Sequence, residues 1–109
     1  MTFEDACELV RDFRRERDWD RFHCAKDLAI SISLEAAELL EHFQWSGEDV
    51  WGDGKRDEML EELADVLIYC IHMADRLEAG IPEIIADKMR KNAEKYPVEK
   101  AKGTAAKYD

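Results

Sequence analysis

Two pairs of acidic side chains, each spaced three residues apart, carry the strongest chemical signal in this 109-residue sequence. Glu35 and Glu38 form one pair, Glu62 and Asp65 the other. A spacing of three puts both members of a pair on one side of a helix. A single pair of this kind is commonplace and usually solvated; what distinguishes these two is their neighbours. Drawn at about 100° per residue, Ser31, Glu35, Glu38 and His42 make a narrow polar stripe on an otherwise mostly apolar stretch of leucine, isoleucine and alanine. The second stretch repeats the arrangement, with Glu58, Glu62, Asp65, Tyr69, His72 and Arg76 on one side and Leu63, Val66, Leu67 and Ile71 around the rest. A helix apolar over most of its circumference is expected to be buried on more than one side. Four carboxylates facing one another there would repel and lose hydration unless a cation compensated them. Hard oxygen ligands without thiolates select Mg²⁺, Mn²⁺ or Ca²⁺ over zinc.

Two rival chemistries fail on spacing. A di-iron bundle needs Glu-x-x-His on two helices, and the residues three before His42 and His72 are Leu39 and Tyr69. Asp20 does precede His23 by three, but in a connecting segment. Nucleophilic catalysis by cysteine is also poorly supported, since Cys7 and Cys70 fall on apolar faces, where thiols are usually inert.

The elements that must position the acids are helices. Only two prolines and five glycines interrupt the chain, and apolar residues recur every three or four positions. The first helix is expected to start after Thr2, where Thr2-Phe3-Glu4-Asp5 resembles a capping box. It carries Phe3, Ala6, Val10 and Phe13 on one face and fades near Arg17–Asp18. The segment 19–27 reads as a polar-aromatic connection, followed by a second helix over about 28–43. A glycine-rich loop, 46–54, leads to a third helix over about 55–78, with Gly80 as its expected C-cap. Pro82 suits the first turn of a fourth helix over about 82–95, which Pro97 ends. The prediction is one all-α domain over residues 1–97, a four-helix bundle, with a tail over 98–109 expected to be mobile unless a partner orders it.

Composition narrows the functional classes. Hydrophobic residues make up 46% of the chain and charged ones 39%, enough apolar content to exclude a disordered acidic tail. No uncharged run approaches the roughly 20 apolar residues of a membrane span, and no secretory leader opens the sequence. Three cysteines without CxxC spacing point to a reduced, cytoplasmic protein. A net charge of −10 argues against binding polymeric nucleic acid, but leaves open a nucleotide whose phosphates meet a metal ion. The basic residues crowd late in the chain, at Lys88, Arg90, Lys91, Lys95, Lys100 and Lys102.

Taken together, the motifs resemble the all-α nucleoside triphosphate pyrophosphohydrolases, the MazG-like superfamily. Glu35-Ala-Ala-Glu38 followed by Glu62-Leu-Ala-Asp65 is similar to that group's paired ExxE…ExxD signature. Phe13-Arg14-Arg15-Glu16-Arg17-Asp18-Trp19 with Phe22-His23, Phe43-Gln44-Trp45, Asp65-Val66-Leu67-Ile68-Tyr69 and Lys88-Met89-Arg90-Lys91-Asn92 leading to Tyr96-Pro97 resemble its dCTP pyrophosphatase branch. The likeness spans about residues 10–97, in order and at compatible spacing. It departs at Ala25-Lys26-Asp27-Leu28, where the family often carries Pro-Arg-Asn-Leu.

The resemblance implies Mg²⁺-dependent hydrolysis of a nucleoside triphosphate, dCTP or a modified dCTP, to the monophosphate and pyrophosphate, with Mn²⁺ as a substitute ion. It implies Glu35, Glu38, Glu62 and Asp65 as metal ligands and Trp19 and Trp45 as aromatic walls around the base. His23 is implied nearby, Tyr69 at the substrate, and Lys88, Lys91 and Asn92 at the phosphates. The residues themselves agree with such roles. Clustered metal ions clamp phosphates and acidify water, a carboxylate such as Glu38 can accept a proton, and tryptophan stacks on any base. Apolar surface on helix two beyond what one short bundle covers predicts an isologous dimer or a dimer of dimers; the resemblance implies a tetramer. The competing reading is a catalytically silent helical protein whose acids bind metal or nucleotide for structure or regulation.

Overall fold

In the computed structural model, which describes residues 1–104, every regular element is helical. Helix α1 runs Phe3–Glu16, α2 Ala25–Glu41, α3 Arg56–Arg76, α4 Ile81–Lys95 and α5 Val98–Ala101, with a 3-10 turn at Asp20–Phe22 between α1 and α2. Among the described residues there is no strand, and no helix is long and apolar enough to cross a membrane. The chain divides into two compact units, one spanning Met1–Glu78 and the other beginning at Ala79.

In the first unit, α1 opens on the expected capping box. The Asp5 amide donates to Thr2 Oγ1 at 3.0 Å, and the Thr2 amide donates to Asp5 Oδ2 at 2.9 Å. Glu4 and Asp5 in the first turn, with Arg14 and Arg15 in the last, complement the helix dipole. The helix stops where Asp18 turns left-handed (φ 54°), a conformation Asp tolerates better than most residues.

Helix α2 begins three residues before the expected Leu28. Cys24 sits extended and its carbonyl accepts the Leu28 amide at 3.0 Å, but no side chain caps the helix. With no Ser, Thr, Asp or Asn at the cap, the usual start signal is missing. The segment read as a connection therefore holds both the 3-10 turn and the first residues of α2. The end of α3 also differs from expectation. Its C-cap is Leu77, the left-handed residue is Glu78 (φ 55°), and Gly80 is extended at φ −87° and serves as the N-cap of α4.

Helices α2 and α3 pack along each other, and α1 lies against α3. The core is small: Cys7, Leu28, Ile71 and Ala74 are buried. Ile30, Leu34 and Leu40 on α2 and Leu60, Leu63 and Leu67 on α3 are 44–69% exposed within the single chain, the apolar surface that the expected association would have to bury. Two packed helices cover one face of each other and no more. In the second unit, Pro82 lies in the first turn of α4 as expected, and Tyr96 caps its end before Pro97. Pro97 then caps the single turn of α5. Of the tail expected over 98–109, residues 105–109 lie outside the described residues.

Candidate active site

Because α2 and α3 pack side by side, their polar stripes meet. Glu35, Glu38, Glu62 and Asp65 each offer a carboxylate oxygen, and these oxygens all lie within 4.8 Å of one another. Glu38 is exposed, whereas the other three are half-buried. Glu35 Oε2 and Glu62 Oε2 are buried without a hydrogen-bond partner. Burial pushes the Glu35 carboxyl above the ordinary glutamate range, and the neighbouring Glu38, Asp65 and Glu62 push it the same way. Burial likewise raises Glu62, reinforced by Glu38 and opposed by His42. His42 Nε2 lies 3.6 Å from Glu62 Oε1, and Lys55 Nζ donates to the His42 carbonyl at 2.8 Å, tying the end of α2 to the start of α3.

This donor set fits a hard divalent cation. Crowded carboxylates with unpartnered buried oxygens are unfavourable alone and favourable around positive charge.

A second polar cluster connects α1 to the far end of α3. Asp75 accepts from Arg11 Nη2 at 3.1 Å and from Arg14 Nη1 at 3.0 Å. Burial would raise the Asp75 carboxyl, but the hydrogen bonds from Arg11 and Arg14 outweigh it and hold the group below its usual range. Arg14, only 8% exposed, also lies across 3.0 Å from His72 Nδ1, and its Nε is 2.6 Å from Asp20 Oδ1. Arg14, Asp20, His72 and Asp75 line a cavity of about 180 Å³ together with His23.

The remaining candidates are scattered. His23 is half-buried, with its ring 4.5 Å from that of His72. Tyr69 also meets His72, edge-on at 5.8 Å. Trp19 packs edge-to-face on Phe13 at 5.7 Å, and Trp45 is 92% exposed in a left-handed turn at φ 65°. Lys88, Lys91 and Asn92 belong to α4 in the second unit, the lysines exposed and Asn92 half-buried beside Met89. Arg11, Arg14 and Asp75 were not singled out from the sequence, because their partners lie 61–64 residues apart. His72 did show a signal: it shares the polar side of α3 with Glu62.

The sequence pattern of the MazG-like family matches residues 30–109. The chain belongs to that family. Among its relatives, dCTP pyrophosphatase 1 of Mus musculus is 38% identical over 112 residues, covering 98% of this chain and 66% of the mouse protein. The Homo sapiens protein of the same name is 37% identical with the same coverage. The chain thus spans 66% of the length of these curated relatives. A pyrophosphatase from Archaeoglobus fulgidus, known from its crystal structure, superposes with a TM-score of 0.80 at 44% identity, covering 86% of this chain and 91% of that one.

Proposed function

We propose that this MazG-like protein hydrolyses a nucleoside triphosphate, dCTP or a modified dCTP, to its monophosphate and pyrophosphate, using Mg²⁺ or, as a substitute, Mn²⁺. The observation that carries the reading is the meeting of four carboxylates within 4.8 Å, two of them with buried, unpartnered oxygens. The names of the mouse and human relatives support the reaction class and the base, and that of the archaeal structure supports a pyrophosphatase.

Glu35, Glu38, Glu62 and Asp65 would hold the ion. When bound, it supplies neutralisation of the triphosphate charge and a more acidic water. Glu38, the exposed member of the cluster, would accept the proton of the attacking water at a carboxylate oxygen. The water oxygen forms the new bond to the α-phosphorus, the α–β bridge breaks, and pyrophosphate leaves. Trp19 and Trp45 stack on the base, with His23 and Tyr69 beside it, while Lys88, Lys91 and Asn92 meet the phosphates. The half-exposed leucines and isoleucines of α2 and α3 would be covered in a four-helix bundle that associates as a dimer or a dimer of dimers. The protein would act in the cytoplasm, without nucleic-acid polymers or membranes as partners.

The test is incubation with a panel of nucleoside triphosphates and Mg²⁺, with monophosphate and pyrophosphate separated chromatographically. Release of dCMP and pyrophosphate from dCTP is expected. Absence of turnover with every nucleotide would leave a binding protein in place of an enzyme.

A further inference from the structure

Behind the residues assigned to the substrate stands a histidine with no role so far. His72 is 7% exposed, yet its ring is neither isolated nor merely packed. It meets His23 at 4.5 Å with planes tilted by 57°, and Tyr69 at 5.8 Å and 68°. From α1, Arg14 reaches its Nδ1 at 3.0 Å. Guanidinium groups only donate hydrogen bonds, so Nδ1 is the acceptor and the proton of this imidazole sits on Nε2. Arg14 cannot easily swing away, because Asp75 accepts from the same Nη1 at 3.0 Å and Asp20 lies 2.6 Å from its Nε.

We propose that His72 is a positioning residue of the nucleobase pocket, gripped by Arg14 and fixing the rings of His23 and Tyr69 that face the base. This rests on the reading of His23 and Tyr69 as substrate residues. A leucine would fill the same volume but would leave the neighbouring ring planes free to rotate, whereas a ring pinned at one nitrogen sets them. His23 Nδ1 is buried without a partner, so Nε2 is the atom left to meet a ligand, and the direction of that nitrogen depends on the ring plane His72 sets. The charged groups that line the cavity with the pair are Arg14 on α1, Asp20 on the 3-10 turn, Asp75 and Arg76 on α3, and Glu78 just beyond it. Burial, together with His23 and Arg14, pushes His72 down to about 4, so it stays neutral near pH 7.

The experiment has two arms. Nitrogen-15 NMR of the histidine rings reads the tautomer without any turnover. In the wild type His72 is expected as the Nε2–H form, and in His72→Phe, which keeps a ring but loses the acceptor, the His23 signals should shift and broaden. A His72 protonated on Nδ1, or His23 signals indifferent to the substitution, would overturn the inference. Steady-state kinetics is the second arm. His72→Phe should raise KM for dCTP by about tenfold and narrow the preference over a purine triphosphate, with a smaller change in kcat. Arg14→Lys, which keeps a charge for Asp75 but loosens the grip, should do the same if His72→Phe folds poorly. Unchanged KM and base preference in a folded variant would also overturn it. A wild type inert towards every nucleotide would defeat the proposed reaction instead, and the NMR arm would still decide the role of His72.

Discussion

Arg14 and His72, 58 positions apart in the chain, are joined by a buried 3.0 Å hydrogen bond that links α1 to α3. The bond makes the cavity end of the first unit sensitive to protonation, since an imidazolium would present an N–H to a guanidinium.

The consequence is a pH dependence of stability with a definite sign. In the folded protein His72 is lowered from 6.5 to about 4, chiefly by burial. Above pH 6.5 the histidine is neutral in both states and the folded state holds its full stability. As pH falls from 6.5 towards 4, the unfolded chain takes up a proton that the folded protein refuses, and stability drops by about 2–3 kcal/mol from this group. Urea denaturation at pH 7.5 and pH 4.5 should show that loss in the wild type, and a smaller one in His72→Phe. Equal losses in both would remove His72 as the cause.

Neutralising the acid cluster should abolish turnover and spare the fold. Glu35→Gln, Glu38→Gln, Glu62→Gln and Asp65→Asn are each expected to reduce kcat by about 100-fold or more. Their circular dichroism should match the wild type, because removing one of several crowded like charges relieves repulsion. Near-normal activity in any two variants would rule out the metal assignment.

Cation binding can be read without substrate. Mg²⁺ bound only by the folded state stabilises it by mass action, so the melting temperature should rise with added Mg²⁺. The rise should shrink in Glu62→Gln. An identical response in both proteins would place the ion elsewhere.

Base and phosphate contacts should separate kinetically. Stacking acts mainly on binding, so Trp45→Ala is expected to raise KM and flatten the preference among bases. A lysine that meets charge growing on the leaving pyrophosphate acts in the transition state, so Lys91→Ala should chiefly lower kcat. Steady-state kinetics on dCTP and one purine triphosphate compares the two. A Trp45→Ala protein with unaltered KM and preference would make the tryptophan a packing residue.

The acid cluster was legible because both pairs obey helical spacing and fall on one side of a helix whose other side is apolar, and the structure brings all four together. The capping box at Thr2 and the proline in the first turn of α4 were legible for a similar reason, as local signals written within four residues. The start of α2 was hidden because Cys24 supplies no capping side chain. The end of α3 was misplaced because the left-handed residue is Glu78, where a glycine was the natural choice. The Arg14–Asp75–His72 cluster left no pattern at all along α1, since an arginine that ends a helix reads as an ordinary dipole partner. Only contact across the fold distinguishes it.

The uncapped start of α2 also marks where this protein can be engineered. Cys24 already holds the extended backbone of a helix cap and leaves its thiol exposed. A serine or aspartate at that position would supply the missing acceptor, a gain of about 1 kcal/mol. The same exchange would remove a surface sulfur open to oxidation during storage. The position lies in sequence beside His23, so the added rigidity would fall on the segment that carries it.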